Sequence, residues 1–365
     1  MSVASRAPEH IRRISPYQPG KPIGELAREM GIAEAGIVKL ASNENPLGMS
    51  PRAKEAAVAA LVDLERYPDG NGFELKAALS AHFGVGQDRI VLGNGSNDIL
   101  ELAAHAFLGP DCSGVYSQYA FAVYPLAINA MGARGVEVPA KAFGHDLDAM
   151  ARAIRPDTRI VYIANPNNPT GTFVGGDALE AFLGRVPSDV LVVLDEAYTE
   201  YLSEQQRYDS LAWLDRFPNL LVSRTMSKVY GLAGLRVGYA IGHPDVVDLM
   251  NRVRQPFNVS SIALAAAAAA LGDEEFLARS ADLNRRGMVQ LTEAFTELSL
   301  EWIPSAGNFV TFKVGNAAAV NLSLLRQGVI VRPLAGYGMP EWLRVTIGLP
   351  EENARFLAAL REALA

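Results

Sequence analysis

The chain has 365 residues, of which 49% are hydrophobic and 20% are charged, and its formal net charge at pH 7 is -7. This length and hydrophobic content are enough for a large buried core divided between two subdomains. The acidic balance argues against a nucleic-acid backbone or an anionic membrane as the main partner, since both select basic patches.

The cysteine and histidine content further narrows the class of protein. A single cysteine, Cys112, cannot form an internal disulfide, which favours a reducing cytoplasm. The N-terminal twenty residues lack the apolar run of a secretory signal, and the most apolar stretch, residues 261–272, is too short to span a bilayer. The histidines are scattered without paired spacing, so we expect no metal site.

The predicted elements begin with a proline-containing segment, residues 1–40, which we interpret as an extended N-terminal arm. From residue 73 the pattern alternates between helical segments such as FELKAALSAHF and short β-branched runs such as RIVYIA and NLLVS. Runs of this kind, bounded by Gly, Pro and Asn, predict an α/β fold with a mostly parallel central sheet flanked by helices. The run VLVVL has no polar alternation, as expected for a strand that is covered on both faces.

The pattern changes after residue 257. An alanine-rich helix and a long helical stretch over 273–298 are followed by short strands and a closing helix. This order is typical of a smaller α+β domain. We therefore predict a large domain over 41–257 and a small C-terminal domain over 258–365.

Polar stretches follow directly after four predicted strands. They are GNGSND (93–98), NPNNPTG (165–171), DEAY (195–198) and RTMSK (224–228). In open parallel sheets, ligands bind beyond the carboxyl ends of the strands, where such loops converge. The four loops therefore predict one site.

Two of these loops carry groups that suit a phosphate. GNGSND opens a helix, whose backbone N–H groups favour an anion, although a plain strand-to-helix turn explains it equally well. Thr225 and Ser227 offer hydroxyl groups, and Arg236 offers a forked cation. Two anion-binding elements on either side of one lysine indicate a phosphorylated cofactor.

The remaining loops carry a carboxylate and an amine. Asp195 ends an apolar strand, where an unpaired charge is costly, and a protonated pyridine nitrogen would pair with it. A capping role for Asp195 is the alternative. Tyr198 and Asn168 could donate to an oxygen on such a ring. Lys228 would form a Schiff base with an aldehyde cofactor, unless it is a surface lysine in a loop rich in Ser and Gly.

Together, SRTMSKVYGLAGLRVGY (223–239), NPNNPTG, DEAY and ASNENPLG resemble the fold-type I pyridoxal-phosphate aminotransferases, and within them the histidinol-phosphate aminotransferase family. The resemblance runs from about Tyr17 to the C-terminus. It implies pyridoxal 5'-phosphate as cofactor, Lys228 as the Schiff-base lysine and general base, and Asp195 as the partner of the pyridine nitrogen.

The same resemblance implies the other cofactor contacts. Those at the phosphate are Gly95, Ser96, Asn97, Thr225, Ser227 and Arg236. Asn168 and Tyr198 would bond the ring oxygen, and Tyr119 would stack on the ring. Tyr67 matches a tyrosine that reaches the phosphate across a dimer interface, which implies a homodimer with shared active sites.

The substrates implied are a small-molecule amino donor and a 2-oxo acid. In the family, the residue matching Arg344 binds the carboxylate of glutamate or 2-oxoglutarate, or the substrate phosphate. The one matching Arg332 assists with the phosphate, and the arm residue matching Tyr17 covers the substrate. The amino group would pass between glutamate and imidazole-acetol phosphate, with Lys228 moving the proton.

Four alternatives remain at this point. Ser117 and Gln118 stand where many relatives have Pro-Thr, and the aromatic loop SQYAFAVYPLA favours a phenylalanine or tyrosine aminotransferase as runner-up. A phosphothreonine-type decarboxylase is a lesser one. A nicotinamide oxidoreductase would need a third glycine where Asp98 stands. A non-catalytic binding protein of this fold would have no need of Lys228.

Overall fold

A computed structural model describes residues 2–17 and 20–365 of the chain. Its strands are β1 (Val38–Lys39), β2 (Ile90–Gly93), β3 (Ser113–Ser117), β4 (Arg134–Val138), β5 (Thr158–Ala164), β6 (Leu191–Asp195), β7 (Leu220–Thr225), β8 (Gly238–Gly242), β9 (Trp302–Ile303), β10 (Phe309–Lys313), β11 (Val329–Ile330), β12 (Arg332–Pro333) and β13 (Trp342–Thr346).

The helices alternate with these strands. They are α1 (Glu9–Arg13), α2 (Ile23–Met30), α3 (Pro51–Ala59), α4 (Phe73–Phe83), α5 (Ser96–Phe107), α6 (Val123–Ala130), α7 (Leu147–Ala153), α8 (Gly176–Leu183), α9 (Pro244–Val253), α10 (Ser261–Leu271), α11 (Glu274–Glu297), α12 (Ala317–Arg326) and α13 (Pro350–Leu364). None of these helices is long and apolar enough to cross a membrane.

Seven of the described strands form one sheet in the order β2-β8-β7-β6-β5-β3-β4. All neighbouring strands run parallel except β8, which is antiparallel to both β2 and β7. The prediction of a mostly parallel central sheet is therefore confirmed. Parallel order brings the carboxyl ends of β5, β6 and β7 to one edge, where the predicted site loops begin.

Both faces of this sheet are buried, which explains the continuous apolar strands. Along β6, Val192 and Leu194 point into one core while Leu191 and Val193 point into another on the opposite face. A strand whose side chains alternate between two apolar layers has no polar side to show in its sequence.

A second sheet, β12-β13-β10-β9, is antiparallel and carries the C-terminal helices. Phe312 of β10 stacks on Phe295 of α11 with ring centroids 4.5 Å apart, and Phe356 of α13 meets both rings edge-on. This cluster is the core of the C-terminal part. The boundaries at residues 40 and 257 stay predictions, and α10 packs against α3 and α4 of the part before it.

The N-terminal segment is not a simple extended arm, so that prediction was wrong for α1 and α2. In α2, Ile23, Leu26, Ala27 and Met30 recur at helical spacing, and Leu26 is fully buried. Apolar residues at this spacing form one face of a helix, which packs here against the segment around β1 and β11. The prolines of this segment favour extended backbone, but the spacing of its apolar residues is helical.

Candidate active site

The four polar loops converge at the carboxyl edge of the large sheet, around a cavity of about 250 Å³. The segment after β1, the start of α5, and strands β12 and β13 complete its walls. The predicted site residues that line it are Tyr17, Ser96, Asn97, Asn168, Asp195, Tyr198, Thr225, Ser227, Lys228, Arg236, Arg332 and Arg344. The large sheet and the second sheet therefore bring most of the predicted residues together.

Asp195, in the lining of the cavity, is a buried carboxylate with one hydrogen-bonded oxygen. Its Oδ2 accepts a hydrogen bond of 2.9 Å from the Tyr124 hydroxyl, and its Oδ1 is buried without a partner. Burial raises the pKa of Asp195 to about 6. An unpaired buried oxygen is costly, so the geometry suits a ligand that presents a protonated nitrogen here.

Lys228 also lines the cavity. Its Nζ donates to the carbonyl of Ser42 at 3.1 Å and lies 5.8 Å from the Tyr198 ring centroid. Burial, together with the nearby charge of Arg344, lowers the pKa of Lys228 to about 8. The amine is therefore substantially neutral just above physiological pH, as a nucleophile or general base requires.

A cradle for an anion forms where β7 and β8 meet the start of α5. Arg236 Nη1 donates to Ser227 Oγ at 3.2 Å, and Ser96 and Asn97 begin the helix beside it. Gly95 does not line the cavity; it makes room for Arg236, because a Cβ there would come 2.1 Å from the guanidinium. Helix N–H groups, a hydroxyl and a guanidinium in one corner suit a phosphate.

Asn168 and Tyr198 line the same cavity as Asp195 and the two arginines of the second sheet. The Tyr198 hydroxyl accepts a 2.9 Å hydrogen bond from Asn43 Nδ2, and burial raises the pKa of Tyr198 to about 12. Asn168 Oδ1 accepts from Arg344 Nη1. The hydroxyl proton of Tyr198 and the amide group of Asn168 are thus the donors available to a ring oxygen.

Arg332 and Arg344 occupy directly opposite positions on the antiparallel strands β12 and β13. Arg344 is 6% exposed, donates to the Ala41 carbonyl at 2.8 Å, and has its Nε buried without a partner. The Arg332 guanidinium lies 5.5 Å from the ring centroid of Tyr17. Like charges directly opposite on neighbouring strands destabilise a sheet. Burial also disfavours the charged form of Arg344 and lowers its pKa. An anion bound at Arg344 would offset the cost of burying its charge.

The structure places Tyr119 outside the cavity, which corrects its predicted role as the stacking ring. Tyr119 has a positive φ of 57° and packs near Phe143, with centroids 6.0 Å apart. Phe121 lines the cavity instead, together with Tyr124. The spacing F-x-x-Y at the start of α6 could have identified Phe121, because residues three apart at the start of a helix share a face.

Tyr67 also lies outside the cavity of its own chain. Its side chain is 82% exposed and stacks on Phe257 with centroids 4.8 Å apart. Two residues of the site were not predicted: Tyr124, whose hydroxyl donates to Asp195, and Asn43, whose amide donates to Tyr198. Tyr124 lies in a segment whose sequence predicts an apolar helix, and Asn43 lies in a loop. Neither directly follows a strand of the large sheet, which is the signal that identified most of the other site residues.

Comparisons with known proteins agree with this geometry. Residues 35–360 match the family model for aminotransferase class I and II. The chain is 66% identical to histidinol-phosphate aminotransferase 1 of Cupriavidus pinatubonensis, covering 98% of this chain and 96% of that protein. It is 64% identical to histidinol-phosphate aminotransferase 2 of Ralstonia nicotianae, covering 98% and 97%. A crystal structure of histidinol-phosphate aminotransferase from Sinorhizobium meliloti in complex with pyridoxal-5'-phosphate superposes with a TM-score of 0.89, at 28% identity over 99% of this chain and 98% of that one.

Proposed function

We infer that this chain, which belongs to the class I and II aminotransferases and within them to the histidinol-phosphate aminotransferases, passes an amino group between glutamate or 2-oxoglutarate and histidinol phosphate or imidazole-acetol phosphate. It is a pyridoxal-phosphate-dependent transferase of histidine biosynthesis. The observation that carries the assignment to this cavity is the buried, unpartnered Oδ1 of Asp195. When bound, pyridoxal phosphate supplies an electron sink for negative charge at the substrate α-carbon.

Each end of the cofactor has a matching group in the cavity. Asp195, held by Tyr124, would keep the ring nitrogen protonated, which preserves its ability to accept electrons. Ser96, Ser227 and Arg236 would hold the phosphate. Phe121 is our candidate for the face of the ring. These residues fit the cofactor in charge, hydrogen bonding and position.

Lys228 is the proton carrier in this proposal. Its lowered pKa would let the amine take the proton from the substrate α-carbon and hold it for return at the end of the transfer. Arg344 contributes to that lowered pKa through its positive charge. An anionic substrate group bound to Arg344 would offset this charge and raise the basicity of the amine as the reaction begins.

The paired arginines support a phosphorylated substrate. A phosphate dianion can bridge the guanidinium groups of Arg332 and Arg344, whereas the single carboxylate of phenylalanine needs one of them. Glutamate carries two carboxylates and can use both. The cavity therefore favours histidinol phosphate over the aromatic alternative that the loop at Ser117 and Gln118 suggested.

We propose that the active unit is a homodimer in which Tyr67 from a second copy reaches the phosphate cradle. The exposed rings of Tyr67 and Phe257 stack on each other, and the segment before Tyr67 carries further exposed apolar side chains, namely Val58, Leu61, Val62 and Leu64. An apolar surface of this kind suits a subunit interface. Sedimentation of the holoprotein should give the dimer mass, and a fully active monomer would contradict the proposal. We also propose a cytoplasmic location, on the cysteine argument above.

The assignment of Lys228 can be tested by chemical trapping. Apoprotein mixed with pyridoxal phosphate should turn yellow, and borohydride should bleach it and fix the pyridoxyl group on Lys228, as peptide mass analysis would show. The Lys228→Met variant should retain no label at that position. A protein that stays colourless, or a label on another lysine, would overturn the proposal.

A further inference from the structure

The proposed reaction gives a role to all but one of the charged side chains among the described residues that line the cavity. Among the described residues the acidic side chains of the lining are Asp195 and Glu44, against the cations Lys228, Arg236, Arg332 and Arg344. The reaction assigns Asp195 to the cofactor ring and the cations to a phosphate, a carboxylate and proton transfer. Glu44 has no assigned partner among cofactor and substrate groups.

Glu44 is held in a defined orientation. Lys39 Nζ lies 2.9 Å from its Oε1 and 3.0 Å from its Oε2, so one cation contacts both oxygens. The Glu44 side chain is 45% exposed and that of Lys39 only 21%. A carboxylate has about four acceptor sites, so an amine contacting both oxygens leaves further sites free. Lys39 therefore positions Glu44 without using up its ability to accept.

Glu44 is also close to the reacting amine. Its negative charge raises the pKa of Lys228 and ranks above that of Asp195 among the charges acting on this amine. Two residues before Glu44, the Ser42 carbonyl accepts from Lys228 Nζ. The same short segment thus contacts the proton carrier and presents a carboxylate to the open part of the cavity.

Resting on the function proposed above, we propose that Glu44 accepts a hydrogen bond from the imidazole N–H of histidinol phosphate and thereby selects an imidazole over a phenyl ring. With the phosphate on the paired arginines and the amine at the cofactor, the ring is the substrate group left without a polar partner. Imidazole has an ordinary pKa of about 6.5, so a carboxylate also stabilises its protonated form. A phenyl ring offers neither a donor nor a charge.

The size of the effect follows from how buried the contact is. A site built to bond a substrate N–H rejects the analogue that lacks it by up to about 10⁴-fold when the site is dry. Glu44 is partly exposed, so water can replace part of the lost bond. We expect Glu44 to contribute roughly 10- to 100-fold in kcat/KM for the imidazole substrate.

The test compares histidinol phosphate with phenylalaninol phosphate, which keeps the amine, phosphate and carbon skeleton but replaces the imidazole by phenyl. Glu44→Leu should lower kcat/KM for histidinol phosphate roughly 10- to 100-fold more than it lowers kcat/KM for phenylalaninol phosphate, because any effect of Glu44 on Lys228 is common to both substrates. Glu44→Gln, which keeps an acceptor oxygen but loses the charge, should fall between. Glu341→Leu is the matched control, because Glu341 pairs with Lys313 at 3.3 Å outside the cavity lining.

The outcomes separate the two proposals. Equal losses for both phosphates in Glu44→Leu, with histidinol phosphate turned over by wild type, would overturn the role of Glu44 alone and indicate a structural role. No turnover of histidinol phosphate by the wild-type holoenzyme would overturn the proposed substrate, and the role of Glu44 with it. Bound-cofactor absorbance and the thermal midpoint of each variant show that it is folded.

Discussion

Replacing Lys228 by methionine should stabilise the apoprotein at neutral pH. Burial and the charge of Arg344 lower the pKa of Lys228 from 10.5 to about 8, so the folded state disfavours the charged amine. That difference corresponds to roughly 3 kcal/mol at 1.36 kcal/mol per pH unit. Because the cavity opens to solvent and methionine loses the bond to Ser42, we expect a net gain of about 1–3 kcal/mol.

The effect has a defined pH dependence. Since the folded pKa lies below that of an unfolded lysine, the unfolded state binds more protons between pH 8 and 10.5. Wild-type stability therefore rises with pH across that window. The advantage of Lys228→Met should be complete below about pH 8 and should shrink toward pH 10.5.

Thermal unfolding of the two apoproteins at pH 7 and pH 10 provides the assay. For a chain of this length, a gain of 1–3 kcal/mol raises the midpoint by about 1–4 °C. Lys54→Met, which changes an exposed lysine, controls for the substitution itself and should shift the midpoint little at either pH. A Lys228→Met midpoint at or below wild type at pH 7, or a difference that does not change with pH, would refute the reasoning.

Two further substitutions examine the ends of the cavity. Asp195→Asn removes the carboxylate that would pair with a protonated ring nitrogen, so kcat should fall at least about 100-fold with the cofactor still bound, and activity near wild type would contradict the assignment. Arg332→Ala removes one of the paired guanidinium groups, so kcat/KM for histidinol phosphate should fall roughly 10- to 100-fold while that for phenylalanine changes little. Equal losses with both substrates in steady-state assays would count against a phosphate role for Arg332.

The large sheet could be predicted because its strands carry a strong signal. From Ile160 to Ala164 in β5 and from Leu191 to Leu194 in β6, every side chain enters an apolar layer, so these runs are short and apolar, and each is followed by a polar residue. β8, Gly238–Gly242, was not predicted. It contains two glycines in five residues, and a Cβ at Gly238 would come 2.5 Å from the backbone nitrogen of Ser96. Because β8 passes so close to the start of α5 at Gly238, this position has no side chain, and the usual strand pattern of β-branched and aromatic residues is lost.

The site was predictable for the residues at strand ends, since parallel order alone brings those loops together. Asp195, Thr225 and Lys228 belong to this group. The aromatic residue that lines the cavity is Phe121, two positions after the predicted Tyr119. α6 begins only at Val123, and the turn before it has neither strand nor helix periodicity, so the sequence did not show which of Tyr119 and Phe121 faces inward.

Glu44 and Tyr124 show what local patterns leave out. Tyr124 reads as part of an apolar helix, and its hydroxyl meets Asp195 only because α6 packs on the large sheet. Glu44 follows a strand of two residues, β1, which joins the cavity wall by pairing with β11 more than 280 residues later. Contacts of such long sequence separation depend on the assembled fold, which spacing along the chain does not encode.

We propose that this enzyme transaminates histidinol phosphate by binding its phosphate at Arg332 and Arg344. The most direct measurement is kcat/KM of the wild-type holoenzyme for histidinol phosphate and for phenylalanine, each with 2-oxoglutarate as acceptor. Two guanidinium groups on a phosphate, against one on a carboxylate, predict a preference of roughly 100-fold or more for histidinol phosphate. Equal values, or a preference for phenylalanine, would contradict the account.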